Sequence, residues 1–181
     1  IKMAKYNIHK DFAFLRFVPN TKKWMVPAFN ALFRWHFKST KAPQNIEVSS
    51  HHIKGFENKD IEVLVFKPRN ISSDASCLVY CHGGGFFIEA AQAHKKMMFE
   101  YVEKANCIIV FPHYRVSLNN PFPTSLEDCY STLKWTKKNT KMLGIDKDKI
   151  AIGGDSAGGN LAACVAQMAL DRKEISLCFQ L

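Results

Sequence analysis

Two short glycine-rich runs carry the residues able to do chemistry. The first is Gly154-Asp155-Ser156-Ala157-Gly158, directly after the apolar run Ile150 to Ile152 and directly before a helical period that opens at Leu161. A serine nucleophile at such a strand-to-helix turn needs a strained backbone and small neighbours, so that two chain segments approach closely while the hydroxyl projects. Gly153, Gly154, Gly158 and Gly159 supply that smallness. The N-terminus of the following helix favours negative charge developing near Ser156. Three fixed residues in five are a weak pattern by themselves, and a glycine-rich turn of this kind also cradles phosphate. Neither G-x-G-x-x-G nor P-loop spacing is present, which favours a nucleophile.

The second run is His82-Gly83-Gly84-Gly85-Phe86, after the apolar strand Cys77 to Cys81. Acyl transfer passes through a tetrahedral oxyanion, and backbone N–H groups free of side-chain crowding bind it well. Alone, three glycines could be a flexible turn. Two such loops, each after a strand, make acyl transfer at Ser156 the coherent reading.

The elements that must position these loops alternate. Ile46 to Ser50, Ile61 to Phe66 and Cys77 to Cys81 read as strands. Met98, Tyr101, Val102 and Ala105 mark a helix face, Cys107 to Phe111 a strand, and Leu126, Cys129, Tyr130 and Leu133 a helix that Gly144 ends. Ile150 to Ile152 is the next strand. Leu161, Cys164, Val165 and Met168 define a helix beginning near Ser156, and Leu177 to Leu181 opens another strand. The pattern predicts an α/β fold: a mostly parallel sheet with helices on both faces after a hairpin-like start, and reactive groups at the carboxyl ends of the strands. Before it, Phe14, Phe17 and Val18, then Phe29, Phe33 and Phe37, imply two helices separated at Pro19-Asn20. The expected division is residues 1–45 as an N-terminal helical cap segment and 46–181 as the α/β core. The aromatic faces of the cap are expected to pack on the core, in preference to lying on a membrane interface.

Composition narrows the partners. A formal charge of +9 in 181 residues raises nucleic acid as a partner, but the basic residues fall in scattered pairs such as Lys22-Lys23, Lys95-Lys96 and Lys137-Lys138, without a recognition motif. A solvated lysine-rich surface is expected, and no nucleic acid. Six cysteines, Cys77, Cys81, Cys107, Cys129, Cys164 and Cys178, lack C-x-x-C or Cys/His ligand spacing. They read as free buried thiols in a reducing, cytoplasmic compartment, with no metal and no cofactor. No apolar run reaches bilayer-spanning length. The chain starts at Ile1 and its last apolar run has no stop signal, so the expectation is a piece of a longer protein in which an upstream signal or anchor stays open.

At His82 to Phe86, at Gly153 to Asn160, and at Tyr114-Arg115 with Pro121-Phe122-Pro123 and Asp128, the sequence resembles the hormone-sensitive-lipase family of α/β-hydrolases, which includes bacterial esterases and arylacetamide deacetylases. The resemblance spans about Val63 to Leu181. It implies that Ser156 is the nucleophile, that N–H groups among Gly83, Gly84, Gly85 and Ala157 form the oxyanion hole, and that His82 orients the glycine loop. It further implies a small ester substrate with a short to medium acyl chain, acetyl or arylacetamide groups included; Phe86 and Phe87 are candidates for pocket walls and equally for core. Between Arg115 and Pro121 the family reads close to LAPEH, whereas this chain reads Val116-Ser117-Leu118-Asn119-Asn120, losing a proline and a carboxylate. The fold orders its triad as Ser, acid, His. Every histidine here precedes Ser156, so the acid and base are expected beyond Leu181, and residues 1–181 alone are expected to be near-silent. Asp128 and Asp155 read as structural. The alternative is a receptor-like member that binds a small molecule without catalysis, distinguished by whether the later histidine exists.

Overall fold

A computed structural model describes residues 9–11 and 22–181; the expected helix around Phe14, Phe17 and Val18 lies outside the described residues. Strands β1 (Ile46–Lys54), β2 (Asp60–Pro68), β3 (Ala75–Cys81), β4 (Ile108–Pro112), β5 (Ile145–Gly154) and β6 (Phe179–Gln180) form one sheet in the order β1-β2-β4-β3-β5-β6. The hairpin-like start is real: β1 with β2 and β2 with β4 are antiparallel, and the remaining neighbours are parallel. The helices are α1 (Val26–Ser39), α2 (Gln92–Ala105), α3 (Thr124–Lys138), α4 (Thr140–Leu143) and α5 (Ala157–Arg172). No described helix is long and apolar enough to cross a membrane.

Alternation along the strands assigns the two faces. Val63, Val65, Cys77, Val79, Ile108, Val110, Ile150 and Ile152 point toward Cys129 and Leu133 of α3 and Leu161 and Val165 of α5. Their neighbours in sequence, Leu64, Phe66, Tyr80, Ile109 and Phe111, point the other way, onto Phe37 of α1 and Met98, Phe99 and Val102 of α2. Near-continuous apolar runs such as Ile108 to Phe111 follow from this, since a strand covered on both faces has no solvent side.

The structure corrects several sequence expectations. The helix expected to run to Gly144 is two, α3 and α4, broken at Asn139, whose side chain turns back to donate to the Trp135 carbonyl at 2.8 Å. Gly144, at φ 76°, ends α4, and β5 begins at once. The last strand is confined to Phe179–Gln180, paired with Ala151 and Ile152. Of the aromatic triplet on α1 only Phe37 is buried, seated against Phe111 with ring centroids 5.6 Å apart. Lys95 is not solvated. Its ammonium donates to the Phe37 carbonyl at 3.1 Å at the C-terminal end of α1, where a cation suits the helix dipole, and burial pushes its pKa down. All six cysteines are free, but Cys164 is half-buried and Cys178 exposed.

One ion pair locks the loops above the antiparallel edge. Asp128 is fully buried and accepts from the backbone N–H of Phe56 (2.9 Å), from the N–H of Arg115 (3.1 Å) and from Arg115 Nε (2.9 Å) and Nη2 (2.7 Å). A Cβ at Gly55 would run into that carboxylate. Removing one member strands a buried charge with several donors, so Asp128→Ala should destabilise the protein by about 3 to 5 kcal/mol, measured by urea unfolding. A loss below about 1 kcal/mol would mean that the ion pair is dispensable.

Candidate active site

The sharpest backbone feature lies between β5 and α5. Ser156 sits at φ 51° and ψ −119°, a conformation a side-chain-bearing residue adopts only when its surroundings impose it. The cause is next door. A Cβ at Gly154 or at Gly158 would collide with the Cys81 carbonyl at the end of β3, and the parallel register pairs Cys81 with Gly154. Two glycines thus let the turn press against the neighbouring strand, and the serine between them is pushed outward and exposed.

The glycine loop leaves β3 at the same level. Asp155, between those two features, holds both: its Oδ1 accepts from the Gly83 N–H at 2.8 Å and from the Tyr80 hydroxyl at 3.1 Å, and Oδ2 faces His94 Nε2 at 3.5 Å. His94 Nδ1 accepts from the Ala91 N–H at 3.0 Å, so the proton of the neutral ring resides on Nε2, directed at Asp155. On the loop's other side the Tyr114 hydroxyl donates to the His82 carbonyl at 2.6 Å, and the two rings stack with centroids 4.3 Å apart. His82 Nδ1 is 2.6 Å from the Gly83 carbonyl, to which it donates. Beyond this clamp Gly84 lies at φ 125°, Gly85 at φ 60° and Phe86 at φ 69°, while the Gly84 carbonyl accepts from Phe87 and Ile88.

Of the four N–H groups named from the sequence, that of Gly83 is already committed to Asp155. Those of Gly84, Gly85 and Ala157 have no acceptor among the described residues. Phe86 lines an apolar cavity of about 270 Å³ with Phe122, Pro123, Leu126, Leu161 and Cys164. Phe87 does not share it; its ring borders a separate depression beside Val26 and Leu118. Among the described residues no three His, Cys, Asp or Glu side chains converge to hold a metal ion, and none of the described histidines hydrogen-bonds Ser156. His82 is buried, and desolvation drives its pKa down to about 3, so it stays neutral. His113, similarly desolvated to about 4, packs on Phe37 just past the carboxyl end of β4.

Asp155 is structural in a way that its local sequence does not show, because it joins two loops far apart in the chain, and the supports from His94 and Tyr114 leave no local signal either. Burial acts to raise the Asp155 pKa, but hydrogen bonds from His94, the Gly83 N–H and Tyr80 outweigh it and hold the carboxyl at about 2. An unfolded aspartate titrates near 3.9, so this contribution to stability is fully present above about pH 4 and is lost as pH falls through about 2. The side chain is 40% exposed, so water screens it and the effect is modest. Asp155→Asn should therefore trail wild type by a constant margin from neutral pH to about 4, the margin closing between about 4 and 2, as read from urea midpoints. A margin as wide at pH 2 as at pH 6 would contradict this.

The comparisons with known proteins agree with this geometry. Residues 78–181 match the family model described as the alpha/beta hydrolase fold. The carboxylesterase NlhH of Mycobacterium tuberculosis is 36% identical over 122 residues, 67% of this chain and 38% of that protein. Human hormone-sensitive lipase is 31% identical over 123 residues, 68% of this chain and 11% of that protein. The matched stretch is thus well under half of either relative. Among solved structures, a bacterial heroin esterase superposes with a TM-score of 0.82 at 26% identity, over 93% of this chain and 54% of that one. A hyperthermophilic esterase from Pyrobaculum calidifontis gives 0.78 at 32% identity, over 92% and 54%. The chain belongs to the α/β-hydrolase fold family, among its relatives of hormone-sensitive lipase and the carboxylesterases.

Proposed function

We propose that this chain carries the nucleophile and the oxyanion hole of a carboxylic-ester hydrolase. The observation that carries the reading is the strained, exposed Ser156, tied through Asp155 to a glycine loop whose next two N–H groups are unclaimed among the described residues. Ser156 Oγ attacks the ester carbonyl. The oxygen that becomes negative is received by the N–H groups of Gly84, Gly85 and Ala157, the last at the positive end of α5. Gly83 has no part as a donor, because its N–H already serves Asp155.

The tetrahedral intermediate collapses with expulsion of the alcohol, leaving the acyl group on Ser156, and water then releases the acid. A histidine must take the serine proton and return it to the leaving oxygen. His94 is disqualified because both ring nitrogens are engaged, and His82 because it is buried and kept neutral well below ordinary histidine pKa values. None of the described histidines hydrogen-bonds Ser156, and the base and its acid partner are assigned to parts of the protein outside these 181 residues. The apolar cavity beside Phe86 and Leu161 suits a short to medium acyl or aryl group in a small ester. Helix α1, the described helix of the expected cap segment, is assigned to the cover of the site.

Two substitutions in the complete protein test this. Ser156→Ala should abolish both hydrolysis of p-nitrophenyl butyrate and covalent labelling by an organophosphonate probe; labelling that persists would refute the assignment. Gly84→Ala places a Cβ against the Ile88 carbonyl at a φ that L-residues avoid. It should lower kcat by about 10²- to 10³-fold, as loss of an oxyanion donor does. Unchanged turnover would remove Gly84 from the hole.

A further inference from the structure

The glycine loop is held at two ends, and only one end belongs to the hydrolase motifs. Near β3 it is fixed by Asp155 and by the pair His82 and Tyr114. Its far end, Phe87 to Glu89, is fixed from α1. Asn30, 4% exposed in the middle of that helix, donates from Nδ2 to the Phe87 carbonyl at 3.0 Å and accepts the Glu89 N–H on Oδ1 at 3.0 Å. One amide side chain thus reads the loop as a neighbouring strand would. One turn further on, Arg34 meets the Glu89 carboxylate at 2.8 Å. Lys95 and Gln92 tie the C-terminal end of α1 to α2 through the Phe37 carbonyl and the Thr40 hydroxyl.

Between the two clamps lie three successive residues at positive φ, Gly84, Gly85 and Phe86. Gly84 and Gly85 take such φ values freely, whereas Phe86 is strained there, and a strained residue persists only where its surroundings over-determine it. We infer that Asn30 is a positioning residue for the oxyanion hole: by bracketing Phe87 and Glu89 it sets the direction of the Gly84 and Gly85 N–H groups, which makes α1 part of the catalytic device as well as a cover. This rests on the reading of Gly84 and Gly85 as oxyanion donors. An aliphatic residue would be the ordinary choice at a buried position on a helix. A buried amide with both its donor and its acceptor used on a single loop is there for the loop's geometry.

The test uses the complete protein with Asn30→Leu, which removes both bonds at similar volume, and Asn30→Asp, which keeps the acceptor for the Glu89 N–H and loses the donor. Active sites are counted by organophosphonate titration, so that turnover is expressed per competent molecule. The oxyanion exists only around the transition state, so misaimed donors should lower kcat and leave KM in place. Expected for Asn30→Leu is a fall in kcat of about 10- to 100-fold per titrated site, the scale of a small misplacement, with KM for p-nitrophenyl acetate within about twofold. Asn30→Asp should fall between it and wild type. Activity lost only in proportion to titratable sites would overturn the inference by reducing Asn30 to a folding role, and so would kcat within about twofold of wild type. Where Asn30→Leu does not fold, Asn30→Asp decides by the same two readings. If wild-type hydrolysis survives Ser156→Ala, the underlying reading fails and the inference falls with it. If hydrolysis depends on Ser156 and the Asn30 variants are normal, the inference fails alone.

Discussion

The site depends on a contact between backbones. Gly154 and Gly158 lie so close to the Cys81 carbonyl that neither could carry a Cβ, and this proximity fixes Ser156 in its strained turn. It also brings the two loops together, because β3 and β5 are parallel neighbours that end level, with Cys81 opposite Gly154. From there the chain diverges: the loop after β3 leads to α2 on one face, and the turn after β5 leads to α5 on the other. Parallel strands whose connections leave on opposite faces open a crevice at their carboxyl ends. Asp155 follows directly on that paired strand end, and from there one carboxylate reaches the Gly83 N–H, Tyr80 and His94 together.

Four residues near the site have positive φ: Gly84, Gly85, Phe86 and Ser156. Gly84 and Gly85 adopt positive φ freely, but Phe86 and Ser156 carry side chains there, at a cost of the order of 1 to 3 kcal/mol each, so they keep it only against a stiff frame. The frame here is the doubly covered sheet and a ring of polar locks in protected positions: Asp128 with Arg115, Tyr114 with the His82 carbonyl, and Asn30 with the loop. Their common design is a side chain used on backbone groups. Asp128 receives two N–H groups besides the guanidinium. Backbone targets place a loop more directly than side-chain pairs do, since the loop's own rotamers take no part.

What could be read from the sequence divides along the same line. Strand positions were legible because continuous apolar runs such as Val63 to Phe66 reflect burial on both faces, a property written into the strand itself. The tight turn at Ser156 was legible because a close backbone approach leaves glycines as its trace. Strand order was legible only as a class, since the choice of neighbours is a long-range matter. Asn30 left no signal at all: its meaning lies in Phe87 and Glu89, more than fifty positions away. Lys95 misled for a related reason. Paired lysines read as solvated, yet one of the pair finds the carboxyl end of α1 and is covered. The commitment of the Gly83 N–H to Asp155 was equally hidden, because a run of three glycines gives no means of telling which N–H is taken.

The segment 116–120 shows how a loop can depart from its family's pattern and keep its place. The proline and carboxylate of the usual run are gone, and Val116-Ser117-Leu118-Asn119-Asn120 stands instead. Asn120 Nδ2 closes the segment on itself by donating to the Val116 carbonyl at 3.0 Å, a local turn supplied by a short amide where a proline would have supplied rigidity. The contact with the glycine loop is the Ser117 N–H donating to the Phe86 carbonyl at 2.7 Å. That bond uses main chain on both sides, so it does not depend on which side chain occupies position 117. Its acceptor is the residue at φ 69°, the last strained position of the turn. The departure therefore falls where side-chain identity is free, and the interaction that restrains the glycine loop is carried by the one part of the residue that substitution to anything but proline leaves in place.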